Sequence, residues 1–202
     1  MNRVLILYPL QFQSQSKFDR KVAKIIANLE NFCVLFPSDP CGLIRSFFER
    51  MPANSVPITE TADWLMVGLT HAIIFDDGEE FPEATQTVLE MKIPTRLIKI
   101  AITRVVNIKK EAKYAVIKSS PDYEYVGRGS YWGNPYSMFE AGDSREEVIR
   151  KFKYDFDNEK FAKKEKSEVY KLAGKRLGCF CKPDACHGDV LANFLNEWDD
   201  GE

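Results

Sequence analysis

Four short apolar runs punctuate the first hundred residues, at 4–8, 33–36, 72–75 and 95–100. Runs this short and this continuous are the pattern of strands buried on both faces. Between them the periodicity changes. Residues 17–29 place Phe18, Val22, Ile25, Ile26 and Leu29 on one helical stripe, with Lys17, Arg20, Lys21 and Lys24 on the other. Residues 42–51 are helical by the same pattern, and Thr59 or Thr61 is positioned to cap a helix that runs to Gly68. Residues 83–91 form a further helix begun just after Pro82, a favoured position. Strand and helix alternating through short links predict an open parallel sheet with helices on both faces, an α/β unit over residues 1–103. Ligands of such sheets sit outside the carboxyl ends of the strands. Here those ends carry Tyr8-Pro9, Pro37-Ser38-Asp39 and Asp76-Asp77-Gly78. The two acids are read as a turn and helix cap, with metal or ribose binding as the alternative. His71 is read as a strand-edge residue, and Cys33 and Cys41 as buried thiols.

The pattern changes after residue 103, and residues 104–202 are read as a compact α+β unit. Residues 104–113 are basic and mixed. Residues 114–118 and 123–126 alternate as strands. A loop follows that is dense in glycine and aromatics, Gly127-Arg128-Gly129-Ser130-Tyr131-Trp132-Gly133-Asn134-Pro135. Its glycines allow positive φ and let a ligand approach the main chain. Arg128 offers a fixed donor fork for phosphate or carboxylate. Trp132 is a surface on which a base could stack, and Asn134 could read a polar edge. Gly127, Arg128, Gly129, Trp132 and Asn134 are therefore candidate ligand-binding residues, against a structural turn plugged by Trp132. Ser144 and Glu147 read as a capping box opening a helix to about residue 156. Residues 169–172 continue helical until Gly174. A strand at 175–179 leads into a last helix that begins at Asp184 or His187, with Val190, Leu191, Phe194, Leu195 and Trp198 on its buried side.

That strand enters the densest chemistry in the chain, Cys179-Phe180-Cys181-Lys182-Pro183-Asp184-Ala185-Cys186-His187-Gly188-Asp189. Three of the five cysteines and one of the two histidines fall within nine positions. Thiolate and imidazole are preferred zinc ligands. Cys179, Cys181, Cys186 and His187 can therefore close one zinc site. Three of them can instead leave a coordination position open, with Asp189 orienting His187. Without metal, Cys186 or Cys181 near a helix N-terminus would be a nucleophile, with His187 as its base. Buried, inert thiols with a helix-capping His187 are the remaining reading. His187, Cys186 and Asp189 are the candidate catalytic residues.

Two resemblances follow from these segments. Residues 62–76, with the helix after them and Ile93-Pro94 leading into a strand, resemble the Rossmann-like superfamily of nucleoside deoxyribosyltransferases and SLOG ligand sensors. That resemblance implies a nucleotide-type ligand. The chain departs from it where Tyr8-Pro9-Leu10 replaces the usual glycine after the first strand. It departs again where Gln86 or Thr87 replaces the transferase glutamate, with Glu83 and Glu90 one turn away. The second half resembles DUF4326, a bacterial and phage family without an assigned activity. The match lies in Tyr125-Val126-Gly127-Arg128, Trp132-Gly133-Asn134-Pro135, residues 174–181, and Cys186-His187-Gly188-Asp189-Val190-Leu191. Gly188 stands where alanine is common. The resemblance implies that the glycine loop and the cysteine cluster belong to one domain.

Composition narrows the partners. A formal net charge of -2 gives no global attraction to nucleic acid. No run is long enough to span a membrane, and residues 1–8 lack the features of a signal peptide. An odd number of cysteines argues against a disulfide framework and for the cytoplasm, a host's if the chain is phage-encoded. Three functions stand open. One is an enzyme of hydrolase or glycosyl-transfer type acting on a nucleotide or nucleoside derivative. A second is a protein that senses or sequesters a nucleotide signal, as in phage counter-defence. The third is a zinc-stabilised interaction module.

Overall fold

The computed structural model describes residues 1–52, 56–114, 116–138, 142–161 and 164–201. The chain forms two compact units, one of Met1–Ile100 with Glu197–Glu202 and one of Ala101–Asn196. The terminal residues, read from sequence as part of the second unit, thus belong to the first.

The first unit is a parallel sheet of five strands, β1 (Asn2–Leu7), β2 (Phe32–Phe36), β3 (Ile58–Glu60), β4 (His71–Asp76) and β5 (Thr95–Lys99), in the order β3-β2-β1-β4-β5. The central strands are those with the longest apolar runs. Val4 pairs with Val34 on one side, and Leu7 with Ile74 on the other. Val4, Leu5 and Ile6 are fully buried, as expected where helices cover both faces. Helices α1 (Gln15–Ile26), α2 (Leu43–Glu49) and α3 (Pro82–Glu90) connect the strands, with Pro82 in the first turn of α3. From α1, Phe18 stacks on Phe75 of β4 with ring centroids 5.2 Å apart, and Phe12 stacks on the same ring at 5.0 Å. The helix expected from Thr59 or Thr61 to Gly68 does not form. Residues 58–60 are the edge strand β3, and only Trp64–Val67 coil, as a 3-10 turn stopped by Gly68 at φ +65°. Three residues are too few to display a strand period, which is why β3 escaped the pattern.

The second unit has a four-stranded mixed sheet built from β6 (Arg104–Asn107), β7 (Ser119–Ser120), β8 (Tyr123–Tyr125) and β9 (Arg176–Cys179), in the order β6-β9-β8-β7. The central strand β9 runs parallel to β6 and β8, while β7 is antiparallel to β8. The strand expected at 114–118 is absent among its described residues; Ala112–Tyr114 is a 3-10 turn, and Ala115 lies outside the described residues. Tyr114 instead stacks on Tyr123 at 4.3 Å. The basic stretch at 104–113 hides strand β6, whose half-buried residues show no clean alternation. Helices α4 (Arg145–Asp157) and α5 (His187–Glu197) pack on the sheet. Ser144 caps α4 as expected, its Oγ accepting from Glu147 N at 3.2 Å. The segment at 166–172 is 3-10 rather than a continuing helix. Val126, Trp132, Phe152, Phe156, Leu177 and Leu191 form the centre of the core. Trp198 falls beyond the end of α5 and is 38% exposed, so it is not part of that helix's buried face. The expected architecture, a parallel Rossmann-like sheet followed by a mixed α+β region with a Cys/His cluster, is the one observed.

Candidate functional site

In the first unit the sheet order reverses between β1 and β4, the place where open α/β sheets bind ligands. The chain's own carboxylates occupy the donors there. Asp39, its side chain buried, accepts from Tyr8 Oη at 2.5 Å, from Ile44 N at 3.1 Å and from Arg45 N at 3.0 Å. It thereby takes the N-terminus of α2, a position suited to an anion. Leu10 N donates to both carboxylate oxygens of Glu80 at 3.2 Å. Asp76 and Asp77 accept from the N–H groups of Gly78, Glu79 and Glu80, which is the turn role expected of them. His71 opens β4, its Nδ1 2.9 Å from Thr70 Oγ1. Cys33 is buried, whereas Cys41 is only half-buried, its thiol donating to Leu10 O at 3.2 Å.

The cysteine cluster of the second unit is built at the carboxyl end of β9 and the N-terminus of α5. Cys179 is the last residue of β9, and His187 the first of α5. Cys186 caps that helix: Gly188 N donates to its sulfur at 3.2 Å, while its own N–H donates to Asp189 Oδ2 at 2.9 Å. The sulfur thus caps the N–H of the second helical residue, and the Asp189 carboxylate supplies the reciprocal half of a capping box. This cap supplies the sharp turn that lets adjacent Cys186 and His187 face one point. The loop between strand and helix is held by Asn107 of β6, whose amide donates to Phe180 O at 3.2 Å and also to Lys182 O.

The donor atoms of Cys179, Cys186 and His187 all lie within 4.8 Å of one another, and all three residues are buried. Cys186 Sγ is 3.7 Å from His187 Nδ1, and Cys181 Sγ is 3.5 Å from Cys179 Sγ. His187 Nε2 lies 2.7 Å from Val126 O. A carbonyl only accepts, so Nε2 carries the proton and the Nδ1 lone pair is left facing the sulfurs. Burial holds the imidazole neutral by pulling its pKa down. The thiols are shifted in opposite directions. A hydrogen bond from Cys186 holds the Cys179 thiol well below its usual range, and giving that bond, together with burial, pushes Cys186 up. Burial also raises Cys181. Zinc fits this donor set. With Zn–S bonds of about 2.3 Å, a tetrahedral edge between ligands is roughly 3.8 Å, close to the separations seen here. An imidazole whose other nitrogen binds a backbone carbonyl is the usual support of a metal-ligating histidine.

Asp189 does not orient His187 by hydrogen bond, contrary to the sequence expectation. Its carboxylate is bonded to Cys186 N and to Lys182 Nζ, at 2.6 Å for the latter. The residue that orients the imidazole is Val126, through its main chain, and no side-chain pattern announces a carbonyl.

The cluster lines one pocket of about 150 Å³. Its lining includes Met138, Val148, Ile149 and Phe180, together with Arg145, which is hydrogen-bonded to the Cys181 sulfur, and the exposed Arg128. Arg128 is exposed, with no hydrogen-bond or ion-pair partner among the described residues. Trp132, expected as a stacking surface, is not brought to this pocket: only 4% exposed, it packs edge-on against Tyr131 and Phe156 in the core. Asn134 lines the pocket, but its amide is used locally, donating to Val148 O and accepting from Tyr136 N. Of the loop glycines only Gly129 has positive φ, +82°. Gly127 and Gly133 are glycine because a Cβ would fall 2.3 Å from the Tyr125 hydroxyl oxygen and 2.7 Å from Gly127 O, respectively. Arg145 and Phe180 are among the pocket residues that the sequence does not single out for binding, Arg145 because it stands inside the Ser144–Glu147 capping pattern.

Comparisons with known proteins agree with this division. Residues 1–106 match the minimal SLOG domain family, and residues 106–197 match DUF4326, a domain of unknown function. The chain is also similar to the "Uncharacterized 12.4 kDa protein in nrdA-td intergenic region" of Enterobacteria phage T4, with 43% identity over 83 residues, 40% of this chain and 75% of that protein. No solved structure matches. The chain therefore belongs to the minimal SLOG domain family through residues 1–106 and carries a DUF4326 domain through residues 106–197.

Proposed function

We propose that the DUF4326 unit holds a zinc ion on Cys179, Cys186 and His187, with Cys181 alongside, and uses it on a nucleotide or nucleoside derivative, as an enzyme of hydrolase or glycosyl-transfer type. The observation that carries this reading is the convergence of two sulfurs and an imidazole nitrogen at a pocket whose lining includes two arginines. Bound zinc would supply Lewis-acid polarisation of the ligand. The chain's own residues do the rest. Val126 fixes the ring of His187, and Asp189 acts through the Cys186 main chain. Arg128 takes the ligand's anionic group, and Gly127 and Gly129 shape the loop that presents it. The minimal SLOG domain in the same chain supports a nucleotide-type ligand. We place the protein in the cytoplasm, a host's if the chain is phage-encoded. No described helix is long and apolar enough to cross a membrane.

One observation favours binding without turnover as a second reading. Among the described residues no carboxylate and no second imidazole lines the pocket, and the groups there that could act as a base are those of the cluster. Elemental analysis of purified, untagged protein, paired with thiol titration, tests the metal. About one zinc per chain, with cluster thiols protected until a chelator is added, is the expected result. Metal-free protein with freely reacting thiols overturns it. Chromatography of nucleotides incubated with the zinc-loaded protein separates the two readings, since only the enzyme yields product.

A further inference from the structure

We infer that this pocket admits only the ring of its ligand, a single pyrimidine-sized group, and that the ligand's phosphate stays outside on the exposed Arg128. The inference rests on the nucleotide reading above and deepens it. Size decides first. The pocket measures about 150 Å³. A cavity of about 150 Å³ accommodates one benzene ring, whereas pockets that bury a whole drug-sized ligand start at about 300 Å³. A complete nucleotide does not fit, and a single-ring base does.

The chemistry of the walls agrees with the size. Met138, Val148, Ile149 and Phe180 make the interior apolar. Phe180 is 48% exposed at the rim, with its neighbour Tyr125 meeting it edge-on at 6.2 Å. Lys109 Nζ lies 5.4 Å from the centroid over one face of this ring, so a base takes the other face, in the stacking role that Trp132, sunk in the core, cannot fill. Charge then sets the ligand's direction. The charged side chains that line the pocket, among the described residues, are the cations Arg128 and Arg145. Arg145 is committed, 3.1 Å from Asp184, 3.3 Å from Ala185 O and hydrogen-bonded to the Cys181 sulfur, while Arg128 is uncommitted among the described residues. A phosphate is thus drawn to Arg128 at the mouth, leaving the ring to point toward Cys179, Cys186 and His187. The group facing the cluster is the base, not the phosphate.

Calorimetric titration of full-length protein, with metal content measured on the same samples, tests this. The probes are UMP, uridine, ribose 5-phosphate and AMP. UMP is expected to bind, and each of the other three to bind at least about tenfold more weakly. Arg128→Gln should weaken UMP by about tenfold or more and leave uridine unchanged, which a merely structural role for Arg128 would not produce. Ile149→Trp, which fills the pocket from α4, should abolish UMP binding while circular dichroism and metal content stay as in the wild type. The inference is overturned if ribose 5-phosphate or AMP binds as tightly as UMP, if either variant binds UMP normally, or if no probe binds. UMP binding by metal-free protein would sink the zinc reading and leave this one standing; zinc-loaded protein that binds no probe would do the reverse.

Discussion

His187 shows how much of a site depends on a single atom's neighbours. Its side chain could cap a helix, act as a base or bind metal. The carbonyl of Val126 fixes the proton on Nε2 and presents Nδ1 to the sulfurs, an arrangement that serves a metal ligand and a base alike. Cys179→Ser and His187→Ala should each cut zinc content to below about a tenth of an ion per chain, whereas Asp189→Asn, which touches only Cys186 N and Lys182, should retain most of it. Elemental analysis of the three variants gives the answer. A second residue carries a cost instead of a function. Tyr123 Oη is buried with no hydrogen-bond partner among the described residues. An unsatisfied buried hydroxyl costs on the order of 1–3 kcal/mol. Tyr123→Phe should therefore leave the second unit as stable or more stable by about 1 kcal/mol, measured by denaturant unfolding; a clear loss would mean the hydroxyl has a partner. At this scale the sequence was legible where chemistry is rare. Cysteine and histidine within nine positions stand out in any chain. Trp132 and Asn134 did not, because an indole in the core and an indole on a surface have the same letter.

Elements were legible in proportion to their length and to how clean their burial is. α1 was read from its stripe of Phe18, Val22 and Ile26, all buried. α4 was read from its capping box, and that box makes a prediction. Ser144→Ala removes the acceptor for Glu147 N, and losing such a cap costs about 1 kcal/mol in most helices. Thermal unfolding should show the drop, and Ser144→Asp should recover most of it. β3 and β6 went unread, one because it has three residues, the other because its residues are all half-buried. The strand β9 holds a constraint that periodicity cannot express. A Cβ on Gly178 would lie 2.0 Å from Tyr123 Oη and 2.6 Å from the ring carbon that bears it. Overpacking of this kind usually costs about 1–3 kcal/mol. Gly178→Ala should thus destabilise the unit that holds the cluster, and Tyr123→Phe in the same chain should restore only part of the loss, since the ring itself stays in the way.

Across the whole chain, the minimal SLOG domain has its strand-end donors filled by its own Asp39 and Glu80, and the metal-type donors lie in the DUF4326 unit. Family resemblance alone would have sent attention to the first. A different long-range feature was not readable at all, because its partners are separated by most of the sequence. The terminal residues complete the first unit through α1: Lys17 Nζ meets the Asp200 carboxylate at 2.6 Å, and Arg20 meets Asp199 at 2.6 Å. The two pairs look alike by distance but differ in burial. The Lys17 side chain is 8% exposed, that of Arg20 39%. An exposed pair contributes roughly 0–1 kcal/mol. Stripping the partner from a buried charge costs up to about 3–5 kcal/mol, less here because Asp200 is itself partly open to water. Asp200→Asn should therefore destabilise the first unit by about 1–3 kcal/mol, and Asp199→Asn by less than about 1 kcal/mol. Lys17→Met should relieve the Asp200→Asn defect, since an apolar chain of similar length removes the stranded charge. Denaturant melts of the three single variants and the Lys17→Met/Asp200→Asn double variant measure the coupling directly. Equal effects from the two aspartates would show that burial of Lys17 is not what makes the terminal residues part of this unit.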